Sequence, residues 1–312
     1  MSLYPPPETV QTELWTRMPD EFRRRGDIPH WVAANRPGHT LDSFLEGPSF
    51  DRDGNLYVTD IPYGRVFRID PNANWTLVAE YEGWPNGLKI HRDGRIFITD
   101  YRRGIVLLDP TRGTVEPVLT HRKSESFRGV NDLFFDARGR MYFTDQGQTG
   151  LHDPTGRVYR YDLASERLDC IIANAPSPNG LVMNPDETIL YVAMTRGNAV
   201  WRVPIFPDDA TSKVSIFTAM AGGNGGADGM AMDSEGSLHV CDAGNACVWS
   251  FSRFGEPRHR YCSPTAGRAT TNCAFGGTDN RELFITESET GSILRVTTQA
   301  PGQPMFAHAE IR

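Results

Sequence analysis

The sequence of 312 residues contains little cysteine and no long apolar segment. No apolar run approaches the roughly 20 residues that a membrane-spanning helix needs, so we expect no membrane span. The first residues have neither the basic nor the apolar stretch of a secretory signal. The five cysteines are an odd number without a CxxC pair, which favours buried thiols in a reducing compartment. These absences together predict a cytoplasmic protein.

A strongly basic surface is also missing. The chain has 32 Lys and Arg against 39 Asp and Glu, which gives a formal net charge of −7. One short basic cluster, at residues 23–25, is more typical of a solvated face than of a phosphate-binding patch. The composition therefore disfavours nucleic acid as a partner and leaves a small molecule as the expected one. It does not indicate an oligomeric state.

The chain does contain a short sequence motif that is repeated six times. The copies share an oxygen-bearing side chain, then a short apolar segment, a Gly- or Asp-rich turn and a β-rich run such as LYVTD or IFITD. Aligned on these runs, the leading residues are Glu46, Asn86, Asn131, Asn179, Asp228 and Asn272. They are spaced 40, 45, 48, 49 and 44 residues apart, a period that is typical of propeller blades when the repeats are built from strands.

Each repeat also contains a third β-rich run and a vaguer fourth, separated by short polar turns that suit antiparallel hairpins. The spacing leaves no room for crossover helices, which disfavours a βαβ fold, and six aligned copies disfavour an ordinary β-sandwich. We predict an all-β protein, a six-bladed β-propeller of four-stranded antiparallel blades over residues 41–312. Residues 1–40 form an extension packing on the propeller, with an amphipathic helix over residues 8–24. Residues 39–44 are expected to supply a strand to the last blade.

The six leading residues should meet around the central channel, and four of them suit a metal ion. Glu46 and Asp228 offer carboxylates, and Asn131 and Asn179 offer amide oxygens. Such hard donors favour Ca²⁺ first, with Mg²⁺, Mn²⁺ or Zn²⁺ also compatible. The alternative is that these side chains satisfy turn backbones, as Asn and Asp often do. On the same face the loops between second and third strands should collect binding residues, Tyr63 and Tyr101 among them, with residues 146–153 as a partial lid.

The motifs EGPSFDRDGNLYVTD, PNGLKIHRDGRIFITDY, VNDLFFDARGRMYFTD, PNGLVMNPDE and ADGMAMDSEGSLHVCD resemble the SMP-30/gluconolactonase/LRE family. The resemblance implies a propeller with one divalent cation in its channel, held by the residues that match Glu46, Asn179, Asp228 and Asn131. It also implies that Asp228 acts as general base. One departure stands out, because the Arg that contacts the sugar acid in sugar-lactonase members is replaced here by Gly129.

These features predict a metal-dependent hydrolase that opens a lactone. The cation would polarise the carbonyl, Asp228 would take a proton from water, and Asn86, Asn131 and Asn272 would contact substrate or water. Asp145 is a weaker candidate base. Two alternatives stay open from the sequence. One is another metal-dependent reaction on the same site, such as phosphotriester hydrolysis or a specialised secondary-metabolism reaction, and the other is a noncatalytic propeller that binds calcium or protein.

Overall fold

A computed structural model describes residues 4–26, 28–220 and 222–309 of the chain. Six antiparallel sheets surround a central axis, and the innermost strand of each sheet contacts the innermost strands of its two neighbours in cyclic order. The strand that begins at Leu45 contacts the one that begins at Thr270, which closes the ring. The predicted six-bladed β-propeller is therefore confirmed. We number the blades 1 to 6 along the chain and call their strands A to D from the channel outward.

The strands follow the repeats closely. In blades 1 and 2 they span Leu45–Phe50, Leu56–Asp60, Arg65–Ile69 and Trp75–Glu80, then Pro85–Ile90, Ile96–Asp100, Gly104–Asp109 and Thr114–Leu119. In blades 3 and 4 they span Val130–Phe135, Met141–Asp145, Gly156–Asp162 and Arg167–Ala175, then Pro178–Met183, Ile189–Met194, Ala199–Pro204 and Ser215–Ala219. In blades 5 and 6 they span Ala227–Met232, Leu238–Asp242, Cys247–Phe251 and Pro257–Cys262, then Thr270–Gly276, Glu282–Glu287 and Ser292–Thr297.

The N-terminal segment supplies the missing outer strand of blade 6. Glu13–Arg17 pairs antiparallel with Ser292–Thr297, and Glu8–Gln11 adds a parallel fifth strand outside blade 5. The helix predicted over residues 8–24 is therefore wrong, because the open edges of two blades offer backbone partners to this Thr- and Val-containing stretch. The strand predicted at residues 39–44 is wrong for the same reason, since Glu13–Arg17 takes its place.

The remaining elements are short. One α-helix spans His30–Asn35, and 3-10 turns span Asp20–Phe22, Ile61–Tyr63, Thr195–Gly197 and Phe306–His308. A short hairpin, with two residues in each strand, pairs His121–Arg122 with Glu125–Ser126. Among the described residues no helix has the length and apolar character that crossing a bilayer requires.

Two devices aim the six leading residues into the channel. In every blade the pairing of strands A and B is interrupted by a register shift at the leading residue, and such bulges redirect side chains. In blades 1 to 3 the Thr near the end of strand B also donates a hydrogen bond to the backbone carbonyl of the next blade's leading residue. Thr59 does this for Asn86, Thr99 for Asn131 and Thr144 for Asn179.

The C-terminal segment closes the far end of the channel. Gln303 donates its backbone N–H to the carbonyl of Met232 at 3.0 Å and its side-chain amide to that of Met183 at 3.1 Å. Met305 and Phe306 pack nearby against apolar residues of blades 2 to 4. The five cysteines are all free thiols, and the buried Cys241 lies beside Cys273.

Candidate active site

The channel opens at one face into a cavity of about 250 Å³. Its floor is formed by five of the six leading residues: Glu46, Asn86, Asn131, Asn179 and Asp228. Its walls come from the loops between strands B and C, as the topology predicted, and from loops that lead into strand A. The structure thus brings all four predicted metal ligands, which are up to 182 residues apart in the sequence (46 to 228), into one cavity.

These floor side chains are buried and yet poorly satisfied by the protein. Glu46, Asn86, Asn131, Asn179 and Asp228 are each exposed by 4% to 9% of their surface. Within the described part of the chain, no hydrogen bond engages the side chains of Asn86, Asn179 or Asp228. Buried polar groups are usually paired, so side-chain oxygens without a protein partner around one cavity are candidate contacts for a ligand or for water.

In the two other predicted ligands, Glu46 and Asn131, only one of the two terminal side-chain atoms is hydrogen-bonded to the protein. Glu46 Oε2 accepts hydrogen bonds from the backbone N–H of Gly47 at 2.9 Å and from Asn272 Nδ2 at 3.0 Å. Asn131 Nδ2 donates to Gln146 Oε1 at 3.0 Å. Glu46 Oε1 and the Asn131 amide oxygen therefore remain available, so the site offers two carboxylates and two or three amide oxygens. This donor set fits a hard cation that completes its coordination with water.

A third carboxylate, which sequence reasoning missed, lies close to this floor. Asp132 is 3% exposed and accepts a hydrogen bond from Asn272 Nδ2 at 3.3 Å and one from the Leu133 backbone N–H at 2.8 Å. Asn272 lies in blade 6, opposite blade 3, so Asp132 reaches across the channel. The signal was present in the repeats, because the residue after the leading position is Gly in four blades and Asp in blade 3.

The crowding of carboxylates shows in their pKa values. Burial raises the pKa of Glu46 to about 7, and the nearby negative charge of Asp132 contributes to the rise. Burial also raises the pKa of Asp228 well above its usual range, helped by the charges of Glu46 and Asp132 and opposed by Arg36 and Arg196. The described residues contain no cluster of three or more His, Cys, Asp and Glu side chains with metal-site geometry. The amide oxygens are therefore essential to the donor set.

The predicted substrate contacts divide into three cases. Tyr101 lines the cavity, and its hydroxyl accepts a hydrogen bond from Gln148 Nε2 at 2.9 Å. Asn272 is 2% exposed, and its amide is committed to Glu46, Asp132 and the backbone N–H of Cys273. Tyr63 does not reach the cavity, because its hydroxyl donates to backbone carbonyls of the N-terminal segment, 2.6 Å from that of Leu41.

Asp145, the weaker candidate base, does not line the cavity either. Its Oδ1 accepts the backbone N–H of Gly129 at 2.9 Å, and burial raises its pKa. The same stretch explains why Gly129 replaces an arginine. A Cβ atom at Gly129 would lie 2.3 Å from the Tyr101 ring, and the backbone φ of +148° disfavours any other residue. The Tyr101 ring therefore occupies the space that a side chain from this position would need.

The rim carries several residues that the sequence pattern did not single out. The helix His30–Asn35 lies over one side of the mouth, and Trp31, Asn35 and Arg36 line the cavity. Gln148, in the predicted lid loop, lies 3.4 Å from Asn35 Oδ1 and so connects two rim elements. Arg196 lines the opposite side. No repeat motif marks these residues, since they lie in loops and in the non-repeating N-terminal segment.

The fold and the floor residues define a class of protein: a six-bladed propeller whose channel gathers buried carboxylate and amide oxygens. Residues 44–289 match the family model described as the SMP-30/Gluconolactonase/LRE-like region. The chain belongs to this family. A lactonase drp35 of Staphylococcus epidermidis is 30% identical over 273 residues, which cover 80% of this chain and 82% of that protein.

Two solved structures share the fold. A gluconolactonase from Xanthomonas campestris superposes with a TM-score of 0.72 at 22% identity, covering 88% of this chain and 96% of that one. A calcium-binding protein, regucalcin, from Agrobacterium tumefaciens superposes with a TM-score of 0.73 at 22% identity, covering 86% and 95%. At this level of identity the likeness concerns the architecture.

Proposed function

We propose that this protein is a hydrolase that opens lactones with the help of one divalent cation bound at the channel floor. The observation that supports this proposal most directly is the convergence of Glu46, Asn131, Asn179 and Asp228, with unpaired oxygens, in one buried cavity. The similarity to a staphylococcal lactonase supports lactones as the substrate class. The calcium-binding relative supports a divalent cation, with Ca²⁺ as the first choice.

Glu46, Asn131, Asn179 and Asp228 would hold the cation, and water would complete its coordination. When bound, a divalent cation at this floor would polarise an ester carbonyl and stabilise negative charge on its oxygen. The Gly47 backbone N–H and the Asn272 amide fix one oxygen of Glu46 and direct the other into the cavity. Asn272 thus serves to position a ligand, while Asn86 remains free to contact the substrate or a water molecule.

Asp228 is the proposed general base. To accept a proton from the attacking water, its carboxylate must be ionised, and burial beside Glu46 and Asp132 opposes ionisation. Positive charge in the cavity offsets that cost, and Arg36 and Arg196 act in this direction. In the described part of the chain the C-terminal segment packs across the lower end of the channel, and the cavity opens at the rim. Tyr101 and Trp31 provide apolar walls for a compact ring.

The test is a panel of lactones of differing ring size and polarity, assayed with Ca²⁺, Mg²⁺, Mn²⁺ and Zn²⁺ in parallel. We expect turnover that chelation abolishes and a suitable cation restores. Asp228→Asn should lower kcat at least 100-fold. Circular dichroism should show that the variant keeps its fold. Asp186→Asn, on the exposed turn between strands A and B of blade 4, is the matched control. Full activity after exhaustive chelation, or in Asp228→Asn, would contradict the proposal.

A further inference from the structure

One arginine at the rim has no protein partner. Arg196 lies in the 3-10 turn Thr195–Gly197, between strands B and C of blade 4, and its side chain lines the cavity together with Asn179 and Asp228. Over the described ranges of the chain, no ion pair and no hydrogen bond engages its guanidinium group. An arginine on the wall of a concave site, with its donors unused, is placed to receive an anion.

A second arginine faces it from the other side of the mouth. Arg36 follows the helix His30–Asn35, and its guanidinium lies over the Phe44 ring at 5.1 Å and 3.4 Å from Glu289 Oε1. Phe44 directly precedes blade 1, which lies opposite blade 4 in the ring of six blades. Arg36 is thus held by an ion pair with Glu289, whereas within the described residues no ion pair or hydrogen bond holds the guanidinium group of Arg196.

No other basic side chain lines this cavity within the described residues. The floor holds acidic and amide groups, and the wall between floor and rim holds Tyr101, Gln146 and Gln148. A carboxylate on a lactone whose reacting carbonyl lies at the floor would find its cationic partners at the rim, in Arg196 and Arg36. On the blade 3 side, Gly129 offers no side chain to a ligand, because the Tyr101 ring fills the space beside it.

We propose that the preferred substrate is a lactone bearing a carboxylate remote from the reacting ester, and that Arg196 binds this carboxylate. This inference rests on the proposed lactonase function and specifies its substrate class. The planar guanidinium can donate two parallel hydrogen bonds to one carboxylate, which an amide or hydroxyl substituent cannot match. Arg36 adds positive potential at the mouth and steers anions toward it.

The experiment compares γ-butyrolactone, its γ-(2-carboxyethyl) derivative and the corresponding neutral carboxamide, with the cation-loaded enzyme at low salt. The wild type should show a kcat/KM for the carboxylate at least tenfold above that for the carboxamide. Arg196→Gln should lose at least tenfold more on the carboxylate than on the carboxamide, because any loss that arises from a harder ionisation of Asp228 is common to both substrates, and Arg196→Lys should recover part of the carboxylate-specific loss. Arg128→Gln is the control, because Arg128 is exposed on the same face without lining the cavity.

The outcomes separate the two proposals. Hydrolysis of all three lactones at equal rates, or equal losses on all three in Arg196→Gln, would overturn the carboxylate preference and leave the lactonase function intact. If no lactone is hydrolysed, binding of the ring-opened hydroxy-dicarboxylate to the cation-loaded protein is measured by calorimetry. Binding that Arg196→Gln weakens at least tenfold would support the anion site alone, and equal or absent binding in both proteins would overturn it.

Discussion

The buried carboxylate Glu46 makes the cation-free protein sensitive to pH in a direction that can be measured. Its pKa is about 7 in the folded chain against 4.5 for the unperturbed group. Between these values the folded state binds more protons than the unfolded state, so stability falls as pH rises. This difference corresponds to about 3 kcal/mol of folding free energy, fully lost above pH 7.

The expected thermal shift follows from the length of the chain. An unfolding entropy of about 2 cal/mol/K per residue converts this loss to a decrease in Tm of about 5 °C between pH 5 and pH 8 in chelator. Differential scanning fluorimetry would follow it. Glu46→Gln keeps the shape of the side chain and removes its titration, so the difference between the two proteins cancels the contributions of histidines such as His91. Burial lowers the pKa of His91, which acts in the opposite direction.

Adding the cation should reverse which of the two proteins, wild type or Glu46→Gln, is the more stable. In chelator at pH 8, Glu46→Gln should be the more stable, because it removes a charge that desolvation and Asp132 disfavour. At Ca²⁺ concentrations about 100 times the Kd, the wild type should gain roughly 3 kcal/mol and overtake the variant, which lacks a ligand. Parallel pH curves for the two proteins in chelator, or equal stabilisation by Ca²⁺, would refute the assignment of Glu46 as a buried ligand.

Three further predictions concern the surroundings of the site. Gly129→Ala should destabilise the protein by on the order of 2 kcal/mol, since its Cβ would collide with the Tyr101 ring. The double variant with Tyr101→Ala should recover part of this stability, and chemical denaturation would measure the free energy of unfolding of both variants. Asn272→Leu removes the amide that holds two carboxylates, so calorimetry should report at least tenfold weaker Ca²⁺ binding; unchanged affinity would contradict the positioning role. Deleting residues 1–18 removes Glu13–Arg17 and exposes the edge of blade 6, so light scattering should detect aggregation that the full chain does not show.

The repeats allowed the central part of the molecule to be predicted because each blade repeats the same local chemistry. The Gly- and Asp-rich turns fix the hairpins, and the alternating β-branched and aromatic residues fix the strands. Once six blades are assumed, equivalent positions must meet around the axis, which is why Glu46 and Asp228 could be brought together from sequence alone. No energetic detail of the individual blades was needed for that step.

What the repeats could not predict depends on contacts made once in the molecule. The amphipathic pattern of residues 8–24 predicts a helix, but Glu13–Arg17 forms a strand because a blade edge is available to it. Tyr63 was placed at the mouth by its loop, yet its hydroxyl is bonded to the carbonyl of Leu41. Both outcomes are set by tertiary partners from outside the repeat, which no periodic pattern encodes.

Asp132 shows how a single departure from the repeat concentrates charge at the axis. At the equivalent position the other strands mostly carry glycine, and the lack of a side chain lets adjacent inner strands approach closely; a Cβ at Gly180 would lie 2.5 Å from the Asp228 carbonyl oxygen. In blade 3 this position carries a carboxylate that Asn272 ties to Glu46 through a shared amide. Two acidic groups held by one neutral donor retain most of their mutual repulsion. The channel thus stores an electrostatic cost that the proposed cation would relieve, and occupancy of the site would then be coupled to the stability of the whole ring.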